Sequence, residues 1–469
     1  MFMLSKKSTE NREQIQFLCL DDLVPKDHIL REVDRSMDFS FIYDLVEDLY
    51  SEEKGRPSLD PIMLLKIPMI QTIFGIKSMR QTIKDIEVNL AYRWFLGLSI
   101  TDAVPHFSTF GKNYTRRFKP TEENGYSDLF HEIFSKILEE SLNLGLISKE
   151  IVFVDSTHIK ANANRNKIHK EAARKAALFY EEELWKEIQE DRVSQGKKPF
   201  DSDDDSPGGS GNAKKEVEVT RSKSDPESGL FHKGPHKEVF AYMSQTACDA
   251  NGWILEYSVH PGNDHDSRTF VDLYNKLPKD EIEMLVGDAG YKAPAIARLL
   301  NQDHIIPVLP YKRPMTKDGF FRKHEYKYDQ FNDRYICPNN KFLLLSTTNR
   351  EGYREYKSNG KVCAECPHLS RCTESKTHVK VILRHIWEAY LEWSEKIRLS
   401  PGIKDIYNLR KQTIERLFGT AKENHNLRYT RMMGKAKMEM KVGLTFACMN
   451  LLKLTKMKRK MGLLEPIYG

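Results

Sequence analysis

Apolar residues recur at helical spacing through the first 130 or so positions and then, near residue 150, give way to short apolar runs closed by turn residues. LDPIMLLKIPMIQTIFG (59–75) has the dense apolar pattern of a buried helix, with Pro61 at its start and Pro68 as a predicted kink. SMRQTIKDIEVNLAYRWFLGL (78–98) predicts a second helix with Ser78 as N-cap, and HFSTFGKNYTRRF (106–118) a third, rich in Arg, Lys and aromatics. Short helices of which the last is basic fit a helix-turn-helix-like domain, and equally an ordinary helical bundle. FSKILEESLNLGL (134–146) is amphipathic.

IVFVD (151–155) then reads as a short buried strand ending in Asp155. KEAARKAALFYEEELWKEIQE (170–190) predicts a charged helix, a protruding arm, and KKPFDSDDDSPGGSGNAKKE (197–216) a mobile loop. EVFAYMSQTACDA (238–250) and WILEYSVHP (253–261) predict a hairpin turning at Ala250-Asn251-Gly252. A helix at 267–277, a strand at 283–288, a helix at 293–302 and a strand at 305–310 follow. Strands before helices, hairpin first, predict a mixed α/β sheet. There is no internal repeat.

Composition changes this picture little. Hydrophobic content of 40% and charged content of 30% over 469 residues fit a soluble globular chain of two or three domains. A net charge of +6, with pI near 8.7, is compatible with a polyanion and does not require one. MFMLSKKSTENREQ has no apolar signal core, and VGLTFACMNLL (442–452) is too short to span a bilayer, so a cytoplasmic protein is expected. Of seven cysteines, Cys337, Cys363, Cys366 and Cys372 cluster in "YICPNN" and "VCAECPHLSRC". A CxxC step with a wider C-x₅-C fits a structural zinc site, and equally reduced thiols packed as small hydrophobes. Cys19, Cys248 and Cys448 read as core residues.

Candidate chemistry lies in three acids. Asp155 ends one apolar run, and Asp288, between Gly287 and Gly290 in "LVGDAGY", ends another; each is placed to project from the C-terminal edge of one sheet. Glu415 lies on a predicted helix (407–428) with Lys411 and Lys422 on the same face. Two aspartates and a glutamate suit a pair of Mg²⁺ ions, roughly 3.5–4 Å apart, at a phosphoryl-transfer site. Thr157, His158 and Lys160 follow Asp155 closely, but a continuing strand explains most of them. His265 and Asp266 read as a turn capping the next helix. KLTKMKRK (453–460) is either a non-specific DNA contact or a solvated charged end.

These blocks resemble the DDE transposases of bacterial insertion sequences. FVDSTHIKANAN (153–164) is similar to that family's first-aspartate block, LVGDAGY (285–291) to its second, and TIERLFGTAKENHNLRY (413–429) to its glutamate helix; residues 55–118 resemble the N-terminal domain of InsH-type members. The resemblance implies an RNase H-like mixed sheet flanked by helices, with the first Asp on the first strand, the second just after the fourth and the Glu on a later helix. It divides the chain into an N-terminal helical DNA-binding domain (1–130), a first part of the core (148–310, interrupted at about 166–235), an inserted Cys-rich subdomain (311–385) and a helical part carrying Glu415 (386–460). It implies Asp155, Asp288 and Glu415 as catalytic ligands of two Mg²⁺ or Mn²⁺ ions. It implies DNA contacts from Lys422, Lys411, Arg410, Tyr407, Arg116 and Arg117. The partner would be double-stranded DNA, both element ends and target, bound by a homodimer or larger assembly in the bacterial cytoplasm. A branch of the family carries Tyr-x₂-Arg-x₃-Glu-x₆-Lys; here Lys422 fits, while Tyr407 and Arg410 sit one residue early, with Asn408 and Lys411 in the strict positions. A metal-dependent nuclease without strand transfer and an inactive transposase-derived regulator are the alternatives.

Overall fold

A computed structural model describes residues 17–50, 58–119, 128–173, 180–200, 217–232, 238–313 and 315–464. Most of the loop expected at 197–216 lies outside these residues, as do residues 55–57 of the N-terminal resemblance. The chain forms two compact units, one of Met1–Leu144, Thr420–Leu427 and Met440–Gly469, the other of Gly145–Gly419 and Arg428–Glu439.

The first unit is helical. Pro61 opens the helix Pro61–Ile73 under an Asp60 cap, and the helix runs through Pro68, burying Leu64, Leu65, Ile67 and Ile70. Ser78 caps Met79–Val88 by accepting from the Gln81 N–H. The single helix expected at 78–98 is in fact two, because the Asn89 side chain accepts from the Ala91 and Tyr92 N–H groups and starts a new helix, Leu90–Phe95. The third helix is α-helical over Ser108–Asn113 and changes to a π-turn over Tyr114–Phe118. That turn buries Tyr114 and Phe118 and leaves Arg116 exposed, while Arg117 lies over the Tyr50 ring and bonds Asn113. In the final turns of the helix Lys435–Lys460, Lys458 binds Glu140 and the Ser36 carbonyl, and Arg459 pairs with Glu32. Part of the basic tail is therefore committed to internal ion pairs. Cys19 is exposed, with its thiol on Asp22, contrary to the expected core position; Cys248 and Cys448 are buried as expected.

The second unit is α/β. Its main sheet comprises β1 (Ile151–Lys160), β4 (Gly229–His232), β5 (Glu238–Asp249), β6 (Ile254–Pro261), β7 (Met284–Val286) and β8 (Ile306–Val308). Strand β5 pairs antiparallel with β1, β4 and β6, whereas β7 is parallel to both β1 and β8. The expected strand at 151–155 extends to Lys160, since Ser156–Lys160 continue the ladder with β5. Between β1 and β4 a ribbon forms from β2 (Ile168–Ala173) and β3 (Val217–Ser222). The expected helix at 170–190 begins only at Glu181, because pairing with β3 takes up residues 168–173. This helix, Glu181–Ser194, is not a protruding arm. Leu184 and Ile188 pack on Ala295 and Trp387, and Asp191 binds Arg354.

A second sheet, antiparallel throughout, runs in the order β13 (Val381–His385), β12 (Tyr353–Ser358), β11 (Phe342–Thr348), β10 (Arg334–Ile336), β9 (Lys327–Asp329). Phe321, Tyr326, Tyr335, Leu343, Tyr356 and Ile382 form its core. At one end His385 is buried, its Nδ1 accepting from the Trp387 N–H at 3.0 Å. Burial, aided by Lys323, lowers its pKa from the ordinary 6.5 to about 4. The unfolded chain therefore takes up this proton first. The contribution to stability is whole above pH 6.5 and is lost as the pH falls towards 4. Urea midpoints should drop between pH 7 and pH 5. His385→Asn, whose Oδ1 keeps the bond from Trp387, should flatten that dependence; an unchanged slope in the variant would assign it to other groups.

Candidate active site

Strand register brings the two aspartates together. In the parallel pair β1/β7, Phe153 lies opposite Val286. Asp155 is two residues beyond Phe153 and Asp288 two beyond Val286, so they sit at one level on adjacent chains, where neighbouring strands run about 4.8 Å apart. The glycines explain the setting of Asp288. Its Oδ1 accepts from the Gly290 N–H at 2.7 Å. A Cβ on Gly290 would stand 2.9 Å from that oxygen and 3.1 Å from Asp266 Oδ2. A Cβ on Gly287 would press within 3.2 Å of Leu309 and 3.3 Å of Tyr291.

Asp155 Oδ2 accepts from Arg410 Nη2 at 2.6 Å, and Oδ1 from the Ser156 N–H at 2.8 Å. Burial pushes the Asp155 carboxyl up to about 6; Arg410 and the Ser156 N–H pull it down, while Asp288 and Asp266 add repulsion. Arg410 is 6% exposed and also donates to the Tyr407 hydroxyl at 3.2 Å. Tyr407 and Arg410 thus form a chain ending on Asp155. Their early position relative to the family spacing coincides with a local break: a 3₁₀ turn over Leu409–Lys411 precedes two turn residues, and the α-helix resumes at Ile414. The extra residue falls where the helix is interrupted.

Glu415 lies in the first turn of the helix Ile414–Asn424, on the order of 8 Å of helical rise beyond Arg410. It is exposed, as is Lys411, and it makes no hydrogen bond or ion pair with either aspartate among the described residues. Lys422, on the same helix, is half-buried. The residues around Asp155 are structural: Thr157 is buried, His158 stacks on Phe231 at 3.6 Å and bonds the Gly262 carbonyl, and Lys160 bridges to Tyr429 through its backbone.

Asp266 departs from the sequence reading. His265 does cap the helix Asp266–Tyr274, Nδ1 accepting from the Ser267 N–H. The Asp266 carboxylate instead faces the other two aspartates. Gln245, opposite Ser156 in the ladder, fixes the start of this helix by donating to the Asp266 carbonyl and the Thr269 hydroxyl. Tyr291, fully buried, lies in the field of Asp266, Asp155 and Asp288, and burial with these charges drives its phenol pKa well up. A clue was present in the sequence: an acid at a helix start just after a sheet strand, at the edge where Asp155 and Asp288 project.

The four clustered cysteines line one cavity of about 490 Å³, with Tyr326, Asn339, Leu343 and Lys380 among its other walls. Cys372 takes a 3.1 Å contact from Tyr326; burial raises its thiol pKa, and the charges of Cys363 and Cys337 act in the same direction. Among the described residues no set of three or more His, Cys, Asp or Glu side chains already stands in ligand geometry for a metal ion. Nor, among them, is any helix long and apolar enough to cross a membrane.

Comparison with protein families gives matches towards the two ends of the chain. Residues 18–116 match the family described as Transposase domain (DUF772), and residues 336–455 match the one described as Transposase DDE domain. The second match takes in the four clustered cysteines, Glu415 and Lys422, and begins beyond both aspartates. No curated protein matches the chain. A Transposase domain match towards one end and a Transposase DDE domain match towards the other, on a chain with a helical N-terminal region and a mixed α/β sheet, support a DDE transposase of insertion-sequence type.

Proposed function

We propose that the protein cuts DNA at the ends of its element and joins the freed ends to target DNA, using Asp155, Asp288 and Glu415 as ligands of two Mg²⁺ or Mn²⁺ ions. The observation that carries this reading is that Asp155 and Asp288 each follow, by two residues, the Phe153–Val286 pair of the parallel strands β1 and β7. The order β4-β5-β1-β7-β8, with β6 also paired to β5, sets antiparallel strands on one side of β1 and the parallel pair β7 and β8 on the other, which supports an RNase H-like core built on β1, β5, β6, β7 and β8. In it the first acid sits on the first strand and the second just after the fourth. The donor set fits hard cations: every proposed ligand is a carboxylate, and buried oxygens at the site lack partners. When bound, divalent ions supply positive charge at the attacking and leaving oxygens of phosphoryl transfer.

The chain's own residues do the rest. Asp155 presents its oxygens from β1 and Asp288 from the turn just after β7, and Arg410, held by Tyr407, orients Asp155. Glu415, exposed at the start of its helix, is the mobile member of the set and joins when DNA is seated. Lys411 and Lys422 meet backbone phosphates as point charges, and Arg116 and Arg117 give the N-terminal helices a basic turn for the same purpose. Water attacks the phosphodiester at an element end and leaves a 3′-hydroxyl, which attacks a target phosphate directly. A dimer or larger assembly holds the two ends. Cys337, Cys363, Cys366 and Cys372 hold a structural zinc that braces the second sheet. Incubating the protein with Mg²⁺, DNA flanking its own coding sequence and a supercoiled plasmid should give joined products. Cleavage without joining would favour a nuclease, and binding alone a regulator.

A further inference from the structure

Three carboxylates and one guanidinium meet where the middle of β1 lies beside the end of β7: Asp155, Asp288 and Asp266 against Arg410. That leaves two negative charges uncompensated in a half-buried place, the charge of one divalent cation. Asp288 Oδ1 is used by the Gly290 N–H and Asp155 by Arg410 and Ser156, but Asp266 Oδ1 is buried with no hydrogen-bond partner among the described residues. An orphaned carboxylate oxygen is costly unless something positive or protic meets it. A second, independent observation points to the same spot. Tyr291 is 0% exposed, and its hydroxyl also lacks a partner, although it lies in the field of all three acids. A buried phenol aimed into a carboxylate cluster, and bonded to none of them, marks a place where a ligand completes the contacts. Gly290 keeps the place open, since a Cβ there would stand 2.9 Å from Asp288 Oδ1 and 3.1 Å from Asp266 Oδ2 and displace these carboxylates.

We infer that Asp266 is a fourth carboxylate of the divalent-ion site, giving an oxygen to an ion shared with Asp155 and Asp288 before DNA is bound. The inference rests on the reading of Asp155 and Asp288 as ion ligands. It assigns to Asp266 a role beyond starting its helix. Gln245 becomes its positioning residue, holding the first turn of that helix against β5 through the Asp266 carbonyl and Thr269.

The test is Mn²⁺ binding to the full-length, DNA-free protein, followed by electron paramagnetic resonance and by the Mn²⁺-induced rise in melting temperature. The wild type should bind Mn²⁺ and melt higher with it. Asp266→Asn should weaken binding at least about tenfold, the lower end of the loss expected when a group supporting a metal site is removed. Asp288→Asn should weaken it further. Comparing each variant with and without Mn²⁺ keeps the answer readable even if Asp266→Asn folds less stably. If Asp288→Asn loses Mn²⁺ while Asp266→Asn binds as the wild type does, the fourth carboxylate is wrong and the two-aspartate site stands. If Asp288→Asn also binds normally, the site itself is misassigned and this inference goes with it.

Discussion

Asp288→Asn should abolish end cleavage and strand joining while leaving DNA binding and the fold intact. The substitution is close to isosteric, and the Asn oxygen can still accept from the Gly290 N–H that fixes Asp288 Oδ1, so the turn after β7 has no reason to move. What is lost is the negative charge. Removing one carboxylate from a hard-cation site forfeits about 4 kcal/mol of stabilisation where charge develops, roughly a thousandfold in rate. Asp155→Asn should be as inactive but less cleanly so. It leaves the Arg410 guanidinium, 6% exposed, without its counter-charge, and unpairing a buried ion typically costs about 3–5 kcal/mol of stability. The pair of variants therefore separates chemistry from folding: equal loss of cleavage, with a lowered melting temperature only for Asp155→Asn. Cleavage rates, gel-shift affinity and melting curves measured together check this. Wild-type joining by Asp288→Asn would sink the assignment.

What the sequence made legible follows from range. Asp155 and Asp288 could be read because each ends an apolar run, a local signal that survives without tertiary context. Their common level could not, since it depends on the β1/β7 register across a long stretch of intervening chain. Arg410 reads as one base among several near Glu415. Its bond to Asp155 joins residues 255 positions apart and needs the break at 409–413 to bring the guanidinium round. Asp266 was hidden for a different reason. HDS before an apolar run is a sound capping signal, and His265 does cap; one local explanation covered two residues of which only one needed it.

Residues 168–173 show propensity losing to pairing. Lys, Glu, Ala and Arg in KEAARKAAL favour a helix, but the ladder with Val217–Ser222 captures residues 168–173 as a strand. The helix-forming run simply begins later, at Glu181. Asn89 shows the reverse: a single side chain competing for backbone N–H groups divided a helix that the apolar period had joined. Glu415 was legible as a helical acid, and its exposure is what a ligand recruited late would show.

If the four cysteines hold zinc as proposed, its removal should unfold the second sheet of the α/β unit and leave the rest of that unit standing. The four cysteines come from short helices and turns rather than from the strands of the sheet. Cys337 follows β10, where the Lys341 N–H donates to its sulfur at 3.3 Å, a backbone knuckle formed before any ion arrives. Cys363 belongs to the short helix Gly360–Ala364, with Cys366 just after it and its N–H on the Cys363 carbonyl, and Cys372 ends the helix Leu369–Cys372. Helices of four and five residues have almost no stability of their own. Cys337 and Cys372 are also packed against the sheet's core cluster, so an ion held by all four would tie these turns to Tyr326, Tyr335 and Tyr356. Elemental analysis of the purified protein should find zinc, and prolonged chelation should lower the melting temperature and expose the tyrosines of the second sheet's core, Tyr326, Tyr335 and Tyr356. Cys366→Ser should cost several kcal/mol, since binding energy in such sites is folding energy. Were the thiols merely packed as small hydrophobes, the same variant would cost only about 1 kcal/mol and chelator would change nothing. A zinc-free preparation with an unaltered melting curve would decide for that account.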